Sequence, residues 1–266
     1  MSSAITEKKL DFIIMEEKII HYCWFGRNPL PESALKCIES WRKYFPNYEI
    51  KEWNEDNFDV NIIPYTKEAY ECKKYAFVSD YARFWILYHY GGLYFDTDVE
   101  VIRPMDDIIE RGPFMGIETP AQEGQTFPRI NPGLGLGAMP FFSLYKEVLD
   151  YYKPLHFLGD NGKPNEITIV EHTSRVLIDH GMKPTNNIQE IAGVWVYPVD
   201  YFNPFDDNTG VLCKTQNTRS IHWFSKTWMT KKQTRRNKIT RVIHRYFGVN
   251  SLSWLKAVLN FFKALK

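Results

Sequence analysis

Asp96 and Asp98 stand one residue apart in the stretch 90–101, YGGLYFDTDVEV. A glycine pair and a short apolar run, Leu93-Tyr94-Phe95, come before them, and Val99 and Val101 resume an apolar alternation after them. Two carboxylates this close repel, and each is costly to desolvate. A hard divalent cation, Mn²⁺ or Mg²⁺, removes both difficulties and keeps coordination positions for phosphate oxygens. A Lewis acid that clamps a diphosphate also stabilises it as a leaving group. The pair therefore points to metal–diphosphate chemistry at the end of a buried strand, where α/β sheets place their ligands. A plain turn built on Asp and Thr97 is the structural alternative.

Upstream, SDYAR places Ser79, Asp80 and Arg83 in the apolar face of a helical stretch. Asp80 and Arg83 are i,i+3 and share a face. Their neighbours Ala76, Phe77, Phe84 and Leu87 predict burial. A buried charged pair needs a reason, because desolvation can exceed the Coulomb gain. Beside a metal–diphosphate site, such a pair can hold sugar hydroxyls: the carboxylate accepts and the guanidinium donates. A local salt bridge is the simpler account.

These residues need a scaffold. KIIHYCWFG (18–26) predicts a first buried strand. LPESALKCIESWRKYFP (30–46) carries Ala34, Cys37, Ile38 and Trp41 at helical spacing. YEIKEWN (48–54) alternates as a second strand, so the three form a βαβ unit with a parallel pair. Residues 66–90 contain no Gly or Pro and predict one helix, ended by Gly91-Gly92. LYFD predicts a central strand, apolar on both faces. GPFMGIE (112–118) and INPGLGLGAMP (130–140) predict later strands. The segments 141–152 and 166–181 predict helices, and 194–205 and 219–228 close the domain. The fold class is α/β, a mixed, mostly parallel sheet flanked by helices.

The 266 residues are ample for one large domain. Cys23, Cys37, Cys72 and Cys213 show no CxxC or metal spacing and read as reduced thiols of a cytosolic protein. No apolar run reaches the roughly 20 residues that span a bilayer. Residues 1–17 read as an N-terminal extension whose apolar run is too short for a signal peptide, with Met15 an alternative start. The net charge of +1 conceals an asymmetry. Residues 231–266 hold ten Lys/Arg and no acid, which leaves 23 bases against 32 acids before them. This tail reads as one or two basic amphipathic helices suited to an anionic membrane surface. Nothing else in the chain suits nucleic acid.

KIIHYCWFG, SDYARFWILYHYGGLYFDTDVEV and IHWFSKTW occur in the order seen in glycosyltransferase family 32, which the chain resembles over roughly residues 18–228. That family holds fungal mannosyltransferases and bacterial capsule enzymes, and is related to the glucosylating domains of clostridial toxins. The resemblance implies a GT-A fold for 18–230, a nucleotide-diphospho-sugar donor, a divalent metal and retention of anomeric configuration. Trp24 resembles the aromatic that stacks on the nucleotide base, favouring a UDP-sugar, and Asn54 a nucleoside contact. Ser79, Asp80 and Arg83 resemble donor-sugar contacts, and Tyr94 lies at the strand end facing the nucleoside. Asp96 resembles the ribose and water-mediated metal contact, and Asp98 the direct metal ligand. His222 resembles a third metal or diphosphate contact, while Thr227 and Trp228 resemble a hydroxyl and a Trp at the diphosphate. IHWFSKTW departs from the family pattern, which leaves the register of His222, Ser225 and Thr227 open. Asn131 is read as a contact on the acceptor side. The expected acceptor is a saccharide or lipid-linked saccharide in bacterial surface polysaccharide synthesis. The expected location is cytoplasmic, peripheral on the inner face of the membrane.

Two rival functions fit parts of this pattern. LYFDTDVEV also shares the D-x-D of a haloacid-dehalogenase-like phosphohydrolase, though that motif usually opens its domain. A non-catalytic sugar-binding protein of the same fold is the other.

Overall fold

The computed structural model describes residues 15, 17–122, 124–165, 167–226, 231–249 and 251. β1 (Ile19–Cys23), α1 (Glu32–Tyr44) and β2 (Glu49–Trp53) form the expected βαβ unit, with β1 and β2 parallel. Ala34, Cys37, Ile38 and Trp41 of α1 are buried, and Glu32 in its first turn and Arg42 and Lys43 in its last complement the helix dipole. Next come α2 (Pro64–Glu71), α3 (Tyr75–Tyr90), β3 (Gly92–Tyr94), β4 (Val99–Val101), α4 (Asp106–Ile109) and β5 (Phe114–Thr119). β6 (Arg129–Asn131), a 3₁₀ turn at Pro132–Leu134, β7 (Leu136–Ala138), α5 (Ser143–Tyr152) and α6 (Ile169–Asp179) follow. β8 (Gln189–Ile191), β9 (Val194–Tyr197), α7 (Val199–Phe202), β10 (Phe205–Asp206), β11 (Val211–Leu212), β12 (Ser220–His222) and α8 (Lys231–Phe247) complete the described elements.

The main sheet has the order β2-β1-β3-β7-β5-β9-β8, with β6 beside β5. From the pairings, β2, β1, β3, β5 and β9 run one way, and β7, β8 and β6 run against them. This is the α/β, mixed and mostly parallel sheet expected. β3 lies inside it, between β1 and β7. Its alternate residues feed two cores: Leu93 packs with Ile20, Tyr22 and Trp41, and Tyr94 with Cys23, Tyr81 and Phe84. Met15 is buried in the first of these. All four cysteines are free.

Two expectations need correction. The helix over 66–90 is two helices, α2 and α3, broken at Lys73, which adopts a left-handed φ of 58°. Lys73 N donates to Tyr70 O and Lys74 N to Ala69 O, which closes α2 on carbonyls otherwise left open. No Gly or Pro marks this break. The single strand over 130–140 is β6, a turn and β7. The break belongs to Asn131, whose side-chain oxygen accepts from Gly133 N at 2.7 Å and caps the turn.

The glycine pair does end α3. Gly91 and Gly92 have φ of 64° and 88°, and a Cβ on Gly92 would lie 2.6 Å from Ile19 O. Only glycine lets α3 turn at once into β3 and pair beside β1.

Candidate active site

Three pieces of chain converge where β3 ends. Asp96 leaves β3 one residue past Phe95. Asp98 immediately precedes β4, and β4 pairs antiparallel with β12 in a separate ribbon, with Val99 opposite His222. That register sets His222 beside Asp98. α1 holds the ribbon in place: Trp41 Nε1 donates to Val99 O at 2.8 Å, and Ser40 Oγ accepts from Val101 N at 2.9 Å.

The first half of the site is a buried charge network. The Arg83 guanidinium lies 3.0 Å from Asp80 Oδ1 and 3.2 Å from Asp96 Oδ1. Its Nε donates to Ser79 O at 3.2 Å, and the guanidinium sits 5.1 Å from the centre of the Tyr94 ring. Tyr94 donates its hydroxyl to Asp96 Oδ1 at 3.0 Å. Arg83 and Tyr94 thus share one oxygen of Asp96 and leave Oδ2 facing Gly133. Burial pushes the Asp80 carboxyl up to about 7, with the Asp96 charge adding and Arg83 opposing. Burial also raises Asp96, against Arg83. Arg83 is held above its ordinary value: burial opposes this, and Asp96 and Tyr94 outweigh it.

The second half is an inverse case. Asp98 Oδ1 lies 3.1 Å from His222 Nε2, while Oδ2 accepts from Ser225 N at 2.8 Å and from Ser225 Oγ at 3.0 Å. Burial alone would raise Asp98, but the imidazole and the Ser225 donors outweigh it and hold the carboxyl well below its usual range. Burial would lower His222; Asp98 reverses that and raises it. His222 Nδ1 is buried and lacks a partner among the described residues.

Asp96, Asp98 and His222 each offer a ligand atom, all within 4.8 Å of one another. Two carboxylate oxygens and an imidazole nitrogen form a donor set that suits Mn²⁺. The residues fit a divalent cation, which would take Asp98 and His222 out of their mutual pair.

Other predicted residues line the same sheet edge. In the parallel register His21 faces Tyr94, so Cys23 is level with Asp96 and Trp24 lies just beyond it. Trp24 and Asn54 line one open cleft of about 390 Å³ with Arg27, Asn28, Pro29, Glu52 and Glu55. Trp24 Nε1 donates to Asn28 O at 2.6 Å, which fixes the indole and leaves the cleft to its ring. The Asn54 side chain donates to Glu52 Oε1 at 2.8 Å and accepts from Asp56 N at 2.8 Å. The Ser79 hydroxyl donates to Tyr75 O at 3.2 Å. Asn131 donates to Glu118 Oε2 at 2.6 Å besides capping its turn, so both ends of its amide are engaged within the protein. Thr227 and Trp228 lie outside the described residues.

Two residues of the site received no role from the sequence, Ser225 being named there only for its open register. Ser225 reaches Asp98 through both backbone and hydroxyl. Gly133 supplies a carbonyl to Asp96 N at 3.2 Å, and a Cβ there would sit 2.0 Å from Asp96 Oδ2. A glycine-rich stretch was visible, but only the fold shows which glycine touches a carboxylate. Gly133→Ala should displace Asp96 and remove any Mn²⁺-dependent rise in melting temperature while the protein stays folded. A retained metal response in a thermal-shift titration would show that Asp96 tolerates the displacement.

Comparison with known proteins gives the same region. Residues 31–115 match the model of the glycosyltransferase sugar-binding region containing DXD motif. Inositol phosphoceramide mannosyltransferase 1 of Schizosaccharomyces pombe is 30% identical over 109 residues, 37% of this chain and 33% of its own. Uncharacterized glycosyltransferase L373 of Acanthamoeba polyphaga mimivirus is 27% identical over 215 residues, 75% of this chain and 79% of its own. The chain spans about a third of the fungal relative. Among solved structures, a glycosyltransferase involved in glycosylation of the major capsid of PBCV-1 is 13% identical, with a TM-score of 0.47 over 84% of this chain and 98% of its own. Residues 31–115, with Asp96 and Asp98 as their DXD, are similar to the sugar-binding region that these glycosyltransferases carry.

Proposed function

We propose that this protein is a retaining, metal-dependent transferase that moves a sugar from a nucleotide-diphospho-sugar, a UDP-sugar by preference, to a saccharide or lipid-linked saccharide. The observation that carries this reading is the convergence of Asp96, Asp98 and His222 beside the buried Asp80–Arg83 pair. A divalent cation held by the three residues would neutralise charge gathering on the leaving diphosphate. Arg83 and Asp80 are then placed to donate to and accept from hydroxyls of the donor sugar. The indole of Trp24 offers a stacking face in the cleft along the same edge. No side chain is assigned as nucleophile or base: the acceptor hydroxyl attacks from the face the diphosphate leaves, and a departing phosphate oxygen takes its proton.

The test is a panel of UDP- and GDP-sugars, scored for hydrolysis and thermal stabilisation with Mn²⁺ and with EDTA. A ligand bound only by the native state raises the melting temperature. One nucleotide should give a Mn²⁺-dependent response. No response to any, with phosphate released from simple monoesters, would replace this reading by a phosphohydrolase.

The membrane is the second part of the reading. α8 docks on the body with its polar side: Asn237, Arg241 and His244 are half-buried. Three of its apolar side chains point away, with Ile239, Val242 and Tyr246 55%, 53% and 75% exposed, while Ile243 is half-buried. Lys232, Arg235, Arg236 and Lys238 are exposed on the same helix. Exposed bases beside outward apolar side chains suit an anionic lipid surface at the inner face of a cell membrane, with about 1 kcal/mol per base near the headgroups. Lipid-linked precursors of surface polysaccharide reside in such a place. No helix among the described residues is long and apolar enough to cross a membrane, and the rest of the basic tail, 252–266, lies outside them. The full chain should float with vesicles rich in anionic phospholipid and less with neutral ones. Equal partition into both would remove this part.

A further inference from the structure

The segment that brings Ser225 to Asp98 is strained. Phe224 and Lys226 hold φ of 48° and 47°, left-handed values at two residues that are not glycine. Conformations of this kind cost of order 1–3 kcal/mol each and persist only where surrounding contacts impose them. Three contacts do so here. Phe224 packs edge-on against His222 with ring centres 4.1 Å apart. Ser225 is bound to Asp98. Lys226 Nζ donates to Asp207 Oδ2 at 2.5 Å.

Asp207 has a second cation. Its Oδ1 takes the guanidinium of Arg241, and its carbonyl accepts Arg241 Nε at 2.9 Å. The Asp207, Lys226 and Arg241 side chains are only 23%, 28% and 24% exposed, so this is a shielded three-member network and not a surface pair. Arg245 continues the docking one turn on, donating to Thr209 O at 3.0 Å and Gly210 O at 2.7 Å. Arg241 also lies 5.2 Å from the Phe205 ring centre, and Phe205 packs on Trp223 at 5.4 Å, in the strained segment itself.

We propose that Asp207 is a positioning residue for the candidate metal site, and that α8 is part of that site's scaffold: through Arg241, Asp207 and Lys226 the docked helix holds segment 223–226 in the strained form that sets Ser225 on Asp98. One carboxylate joins the helix to the wall of the site. The apolar stripe on the far side of the same helix lies on the same rigid element, so whatever engages the stripe also bears on Asp98. The proposal rests on the reading of the site above only for its metal readout.

The test uses the full chain with Asp207→Ala, Arg241→Gln and, as a control on the exposed part of α8, Arg236→Gln. Amide hydrogen exchange over 220–226 reads the position of the segment directly, with no metal needed. Asp207→Ala and Arg241→Gln should speed exchange there by about tenfold, and Arg236→Gln should not. Mn²⁺ affinity should fall by roughly tenfold in the first two, the usual cost of losing an outer partner of a metal ligand. Faster exchange in a protein whose parent binds no Mn²⁺ would sustain the positioning role and remove the metal reading. Unchanged exchange in both variants, or equal change in the control, would overturn the proposal.

Discussion

Asp98→Asn should abolish the metal response and lower sugar transfer by about a thousandfold, roughly 4 kcal/mol of transition-state stabilisation. Asp98 is a carboxylate the fold keeps ionised, because His222 and Ser225 outweigh the cost of its burial. Asparagine preserves its shape and can still accept from Ser225 N, but it cannot carry the charge a cation needs. His222 loses its ionic partner, so the variant should also lose about 1–3 kcal/mol of stability. The direction of the shift fixes the pH window. A carboxyl depressed in the folded state contributes stability above its ordinary value of 3.8, lost as pH falls below it. The stability gap between parent and variant should therefore be full at neutral pH and close in acid. Thermal melts with and without Mn²⁺, beside a transfer assay, check all of this. A variant that keeps parental, Mn²⁺-stimulated activity would refute the role given to Asp98.

Asp80→Asn should separate activity from stability. Its carboxyl is raised in the folded state from 3.8 to about 7, with burial the largest cause. A group raised in this way contributes stability that is whole below the unfolded value and lost as pH climbs through the folded one. Above pH 7 the protein carries an ionised carboxylate in a place that disfavours it, at a cost on the order of a few kcal/mol. Asparagine removes that burden, and Arg83 keeps Asp96 as its partner. The metal-free variant should thus melt no lower than the parent at pH 8, and any advantage should fade toward pH 4. Transfer should fall by roughly a hundredfold, since the donor sugar loses a charged acceptor and Arg83 loses half of its orientation. Melting temperature measured across pH 4–8, together with kcat/KM, decides this. A large loss of stability at pH 8 would mark the pair as structural.

The parts of this protein legible in its sequence are those written in side-chain type and local period. Ala34, Cys37, Ile38 and Trp41 predict α1 because a helix repeats its face within those few residues. The glycine pair marks the end of α3 because only glycine tolerates that backbone. Asp96 and Asp98 stand out because carboxylates rarely follow a buried strand without a task. What was not legible depends on contacts between distant segments. Lys73 breaks the long helix without glycine or proline, and the cap that permits it uses only backbone atoms. Asn131 reads as a free polar group in a strand, yet the fold engages its amide at both ends. Gly133 has no side chain to announce it; its importance is the carboxylate pressed against its Cα. Ser225 and Asp207 look like ordinary loop residues until β12 and α8 bring them to Asp98 and Arg241.

The site's two carboxylates stand on different foundations. Asp96 is carried by the central sheet through β3, and Asp98 by the small ribbon of β4 and β12. Thr97 alone joins them, so their Cα atoms lie two peptide steps apart, at most about 7 Å. The distance between the carboxylates is therefore the setting of a caliper whose two jaws are separate sheets. The screw of that caliper is far from the jaws, in the grip of Trp41 and Ser40 on the backbone of β4. Under the proposed metal reading, discrimination among ions of different radius, Mg²⁺ against Mn²⁺ against Ca²⁺, would be a property of how tightly a helix packs on a ribbon, and could drift without any change in the ligands themselves.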